Sequence, residues 1–165
     1  MKKTGIFYGS STGNTQTIAK VLSEKLDADI FDVAKNPIDQ VDAYENLIFG
    51  TSTWGLGDLQ DDWDDFLSKL VAKDLQGKKV ALFGLGDSAS YPDTFVDGIG
   101  IIYAELKNKG CVFVGATDTA GYEFDDSQAL VDGKFVGLPL DEDNESNLTD
   151  SRINDWLGRV TPDFN

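Results

Sequence analysis

Three apolar runs in this chain end alike. Phe7-Tyr8-Gly9-Ser10, Ile48-Phe49-Gly50-Thr51 and Leu82-Phe83-Gly84 each close a strand-like stretch with glycine and pass into small or hydroxyl-bearing residues. One glycine after a strand is ordinary turn chemistry. Three of them, on runs separated by helix-period segments, describe parallel strands whose carboxyl ends face one crevice, which is where an open α/β sheet binds its ligands. The strand candidates are Ile6 to Tyr8, Ile30 to Val33, Leu47 to Phe49, Val80 to Leu85 and Val112 to Val114. Helical stripes fall between and after them: Ile18/Leu22/Leu26, Leu59/Trp63/Phe66/Leu70, Phe95/Ile99/Ile102/Leu106 and Ile153/Trp156/Leu157/Val160; each reads as a core-facing side. The 165 residues carry no Pro/Gly/Ser-rich linker and no repeat, so 1–165 is read as one α/β domain. An acidic, irregular segment from Thr117 to Asn147, with a strand-like run at Phe135 to Leu138, is read as an insertion within or after the fifth strand.

Composition removes several chemistries. There is no His and a single Cys, Cys111, which excludes Cys/His metal sites, His-based triads and an internal disulfide; Cys111 is read as inert core of the fifth strand. Fourteen basic against 29 acidic residues give a net charge of −15, which repels nucleic acid and anionic lipid and would steer a basic partner. Taken by itself, such acidity is explained by solubility alone before any partner is invoked. No stretch is long enough to span a membrane, and Gly5, Tyr8, Gly9 and Ser10 interrupt any signal-peptide run, so the expected location is the cytoplasm.

The first loop packs Ser10, Ser11, Thr12, Gly13, Asn14 and Thr15 just before the helix that carries Ile18 and Leu22. Unpaired N–H groups and the positive end of a helix dipole, joined by hydroxyl donors, can hold a monophosphate without Lys or Arg. A triphosphate loop would need Lys then Ser or Thr after its second glycine, whereas Asn14 follows Gly13. Read alone, the string would also serve as helix capping. In the second loop, Thr51, Ser52, Thr53, Trp54, Gly55, Leu56, Gly57 and Asp58, an indole stands among small residues at the crevice mouth, where a planar ligand would give it a stacking partner. The third, Gly84-Leu85-Gly86-Asp87 through Ser90-Tyr91-Pro92-Asp93, formally matches a dinucleotide fingerprint. That match fails because Pro92 delays the helix until about Asp93 or Thr94. Its useful residue is Tyr91, which with Trp54 could sandwich a flat ring.

These loops, in this order on a five-strand pattern, resemble the flavodoxin family over essentially the whole chain. The insertion, ending Gly137-Leu138-Pro139-Leu140-Asp141-Glu142-Asp143-Asn144, is similar to that of its long-chain members. The resemblance implies a three-layer doubly wound sandwich around a five-stranded parallel sheet of order 2-1-3-4-5, an order for which flavodoxin is itself the type example. It implies one non-covalent FMN, with Ser10 to Thr15 on the phosphate and Trp54 and Tyr91 on the two ring faces. Thr51 to Thr53 and the backbone of Gly55, Leu56 and Gly57 would line the ring edge, and Leu85, Gly86, Asp87 and Asp93 would lie toward the pyrimidine end. Asp143 would meet the ribityl chain. The Gly55–Leu56 peptide would turn its carbonyl toward the ring on reduction. Two positions depart from relatives: Gly55 where long-chain members often have Asn, and Thr94 where some have Asn. The implied function is a low-potential, monomeric, single-electron carrier without catalytic residues or a metal, serving basic redox proteins such as an NADP-dependent flavodoxin reductase. The alternative is a small FMN-dependent reductase on the same fold. A receiver module is disfavoured because the first strand leads into Gly9-Ser10-Ser11 instead of an acidic cluster.

Overall fold

The computed structural model describes residues 3–54 and 56–164; Gly55, placed above at the ring edge, lies outside the described residues. In chain order the elements are β1 (Thr4–Tyr8), α1 (Asn14–Leu26), β2 (Asp29–Asp32), β3 (Asn46–Trp54), β4 (Asp58–Leu59), α2 (Asp61–Leu70), β5 (Lys79–Leu85), α3 (Asp97–Leu106), β6 (Val112–Val114), β7 (Thr117–Asp118), β8 (Leu130–Val131), β9 (Lys134–Phe135), β10 (Leu138–Leu140) and α4 (Thr149–Asp163). β2, β1, β3 and β5 form a parallel sheet in that order. The fifth position is shared: β6 pairs with Lys79 to Ala81 of β5, and β10 with Phe83 to Leu85. The insertion therefore lies within the fifth strand, and the order 2-1-3-4-5 holds with that strand in two pieces.

Both faces of the sheet are buried, so its strands read as continuous apolar runs whose alternate residues serve opposite layers. Phe7, Leu47, Phe49, Val80 and Leu82 pack with Trp63 and Phe66 of α2 and Ile99 and Ile102 of α3. Ile6, Ile48, Ala81 and Phe83 pack with Ile18 and Leu22 of α1 and Ile153 and Trp156 of α4. From β1 the chain winds outward to β2 and then returns to β3 on the other side of β1. The crevice between β1 and β3 is thus the switch point.

Three sequence expectations change. Helix α3 begins at Asp97 instead of Asp93 or Thr94, because Val96 takes a left-handed conformation (φ 49°). Phe95 accordingly packs on Tyr122, Phe124 and Phe135 of the insertion. The run Phe135 to Leu138 is two strands: Phe135 belongs to a small antiparallel sheet, β7-β9-β8, while Leu138 opens β10 in the main sheet. Cys111 precedes β6 and is half-buried, with burial pushing its thiol up.

The insertion is pinned to α3 by close backbone approach. A Cβ added at Gly100 would stand 2.5 Å from the carbonyl carbon and oxygen of Gln128. Gly100→Ala would gain about 1 kcal/mol of helix propensity but force backbone from backbone, a cost of about 1–3 kcal/mol or more. The variant is expected to unfold at lower urea concentration with an unchanged m-value.

Candidate functional site

The loop after β1 is tied down before it reaches the cleft. Gly9 N–H donates to Gly50 O (3.0 Å), and Ser10 Oγ accepts from Gly13 N–H (3.0 Å). Gly13 stands at the N-cap of α1 with φ 95° and no side-chain cap, and the first turn holds no acid. The N–H groups of that turn have no carbonyl to meet within the helix, so the positive end of its dipole is open to an anion. Ser11 Oγ accepts from Gln60 Nε2 (3.0 Å). Gln60 is buried and also caps α2 through Oε1, which accepts from Asp62 N–H, so one amide fastens the first loop to the second.

The second loop is shorter than the sequence suggests. β3 continues through Trp54 and folds back on β4, pairing Thr53 with Leu59 and Trp54 with Asp58. Thr51 is buried and donates to Ser52 O, while Thr53 Oγ1 accepts from Gly98 N–H (2.8 Å) in the first turn of α3. Trp54 Nε1–H donates to Ser52 Oγ (2.8 Å), which orients an indole that is 40% exposed. Leu56 is 86% exposed at the rim, and Gly57 lies beneath it, buried, with φ 100°.

The third loop turns on Asp87, whose carbonyl accepts from Tyr91 N–H and whose Oδ1 accepts from Ser90 N–H and Asn144 Nδ2. Desolvation works to raise the Asp87 carboxyl, but the bonds from Ser90 and Asn144 outweigh it and hold the group below its usual range. Underneath, the fully buried Asp141 accepts from Ser88 N–H, Ser88 Oγ, Asn144 N–H and Asn144 Nδ2. This network stitches the end of β10 to the loop that presents Tyr91, 44% exposed.

The three loops enclose one cleft of about 340 Å³ lined by Thr12, Asn14, Thr15, Ser52, Thr53, Trp54, Leu85, Gly86, Asp87, Tyr91, Glu142 and Asp143. Of the residues singled out from sequence, Ser10, Ser11, Gly13, Thr51 and Gly57 do not line it, and Ser10, Ser11 and Thr51 instead hold the loops through the bonds given above. Leu56 and Asp93 are exposed and do not line it. No Lys or Arg is among the lining residues. Burial first, then Asp87, Asp141 and Glu142, push the Asp143 carboxyl up, so the cleft already resists negative charge. Asp87, Asp141 and Asp143 bring their carboxylates within 4.8 Å of one another, but the bonds from Ser88, Ser90 and Asn144 occupy the first two. Gln60, Asp141, Glu142 and Asn144 escaped the sequence reading of the site. The acid run that follows β10 marks the segment of Asp141 and Glu142 without singling either out, and nothing in the sequence marks Gln60. A larger depression of about 550 Å³ lies between the insertion and α4, where Lys134, Arg152 and Arg159 are paired with Asp118, Glu145 and Asp155.

A doubly wound sheet whose switch point carries a hydroxyl-rich helix start and two half-exposed aromatic rings defines a flavodoxin-like protein. The model of the flavodoxin family matches residues 6–156, and the chain belongs to that family. It is 43% identical to a flavodoxin of Synechocystis sp. over 98% of both chains, and 42% identical to flavodoxin 1 of Escherichia coli over 99% of this chain and 96% of that one. It is also similar to the crystal structure of Fusobacterium nucleatum flavodoxin bound to flavin mononucleotide, with a TM-score of 0.92 and 38% identity over the whole of both chains.

The Asp141 network makes a stability prediction. Asp141→Ala removes the charged acceptor shared by the partly buried Ser88 and the backbone N–H of Asn144, at a cost of about 1–3 kcal/mol. Urea denaturation should register that loss, and amide exchange should speed up at residues 87–91 before it does in the sheet.

Proposed function

We propose that this chain is an electron carrier that holds one FMN in the cleft between β1 and β3. The observation that carries the reading is the pairing, in one cleft with no Lys or Arg among its described lining residues, of an uncapped helix start and two half-exposed aromatic rings on separate loops. The residues fit the group. Thr12, Asn14 and Thr15 with the N–H groups of the first turn of α1 suit a phosphate, and Trp54 and Tyr91 suit the faces of a flat tricycle, which would relieve the exposure of both rings. When bound, FMN accepts and returns electrons one at a time, and the protein's task is to set its two potentials.

The chain's own residues act through position and charge. Trp54, held by Ser52, and Tyr91, held through Asp87 and Asp141, exclude water from the ring faces. Asp87, Glu142 and Asp143 make any added negative charge in the cleft unfavourable and so depress the second potential. No acid, base or nucleophile is required of the protein.

Members of this family work with redox partners, and the rim favours basic ones. Trp54, Leu56 and Tyr91 expose apolar surface at the cleft mouth. Asp58, Asp61, Asp62, Asp64 and Asp65 follow it along the chain, and Asp61, Asp62 and Asp64 complement the start of α2 as well. Such a rim suits electron transfer from a monomer through a small contact. Among the described residues no helix is long and apolar enough to cross a membrane.

FMN titration of the apoprotein followed by anaerobic stepwise reduction tests the proposal: one FMN per chain and two separate one-electron steps are expected. Absence of FMN uptake, or steady NADPH oxidation by the holoprotein alone, would overturn it. Trp54→Ala should weaken FMN binding about five- to tenfold, the scale of one aromatic stack. Neutralising Glu142→Gln together with Asp143→Asn should raise the second potential by roughly 20–60 mV, read by redox titration.

A further inference from the structure

The insertion reaches the second cleft loop through a residue that the FMN reading leaves unused. Asp97, the first residue of α3, is 1% exposed, and its carboxylate is held from the insertion: Oδ1 accepts from Gln128 N–H (2.7 Å) and Oδ2 from Gln128 Nε2 (3.1 Å). Its other side faces the second loop. A Cβ added at Gly57 would lie 2.7 Å from Asp97 Oδ2, so the backbone at the turn of that loop rests on the carboxylate itself. One residue on, Gly98 N–H holds Thr53 Oγ1. Thr94, whose side chain also packs under Gly57, has a buried Oγ1 with no hydrogen-bond partner among the described residues. The turn therefore sits on a polar floor made by residues 94–98.

The same stretch of insertion grips the third loop. Pro92 O accepts from the N–H groups of Asp125 and Asp126, Phe95 N–H donates to Asp126 O, and Ser127 Oγ donates to Phe95 O. Residues 125–128 thus brace the chain from Tyr91 to Asp97, and through Asp97 they reach the loop that follows Trp54.

We infer that Asp97 is a positioning residue that sets the second cleft loop: Gln128 of the insertion orients its carboxylate, and the carboxylate fixes the height and tilt of the turn at Gly57 behind the cleft wall. This rests on the FMN reading of the cleft and gives the insertion a part in tuning the site from outside it. A purely structural Asp97 would support the fold alone.

Gln128 is exposed and does not line the cleft, so Gln128→Ala should fold as the parent does. The test compares the parent, Gln128→Ala, Asp97→Asn and the double variant by FMN titration of the apoproteins, redox titration of the holoproteins and urea denaturation. Gln128→Ala should weaken FMN binding about threefold and Asp97→Asn about tenfold, the range for losing part or all of a charge-assisted pair. Both should move the first one-electron potential in the same direction, and the double variant should match Asp97→Asn alone, as coupled residues do. A lower urea midpoint with the parent's FMN affinity and potentials would overturn the inference, and Gln128→Ala by itself decides the matter if Asp97→Asn does not fold. A parent that takes up no FMN overturns the cleft reading itself. A parent that binds FMN, with Gln128→Ala indistinguishable from it, leaves that reading intact and removes only this inference.

Discussion

The parallel register of β1, β3 and β5 is the constraint on which the rest of the molecule depends. It sets Tyr8 beside Gly50 and Gly50 beside Phe83, so that the carboxyl ends of three strands reach the same edge of the sheet and their loops emerge together. Gly50 is the pivot. Its carbonyl accepts both Gly9 N–H and the indole N–H of the fully buried Trp63 (2.8 Å), joining the first loop, the central strand and α2 at one oxygen. The Phe83 ring occupies the space a side chain at position 50 would need, with atoms as near as 2.0 Å to an added Cβ. A slip by one residue would exchange every side chain between the two layers and separate the loops.

On that edge the chain solves an electrostatic problem in an acidic molecule. An anion is received by backbone dipoles and hydroxyls at the start of α1, while carboxylates stand on the opposite wall. A Lys or Arg would bind phosphate more tightly, but it would also stabilise negative charge added to a neighbouring ring. Binding through N–H groups separates the two tasks, because partial charges fade within a turn of the helix. Neutral donors stabilise part of this charge: Ser88, Ser90 and Asn144 hold Asp87 and Asp141, while Asp87, Glu142 and Asp143 line the cleft.

The broken fifth strand explains how an insertion can be accommodated at an edge without disturbing the site. β6 and β10 each pair with β5, so the sheet is covered above and below the exit point, and the excursion carries its own aromatic cluster of Tyr122, Phe124 and Phe135 against Phe95. Its backbone then meets α3 at Gly100 and the loop at Pro92. What would otherwise be a long irregular connection becomes a brace between α3, the third loop and the end of the sheet.

Much of this was legible in the chain. Strand-ending glycines, apolar runs buried on both faces and helical stripes at 3.6-residue spacing are local signals, and they determined the layers, the strand order through the family resemblance, and the three loops that line the cleft. Trp54 and Tyr91 stood out because large rings in short loops of small residues have nothing nearby to bury them. The sequence could not decide where α3 begins, since that turns on the left-handed Val96 and on Phe95 being drawn into the insertion's cluster. It could not reveal Gln60, Asp141 or Asp97 either, because each owes its place to a partner 31 to 53 residues away. Polar residues buried by distant contacts look, in sequence, like any surface acid or amide, and only the closed tertiary structure decides which of them lose water and gain a fixed partner.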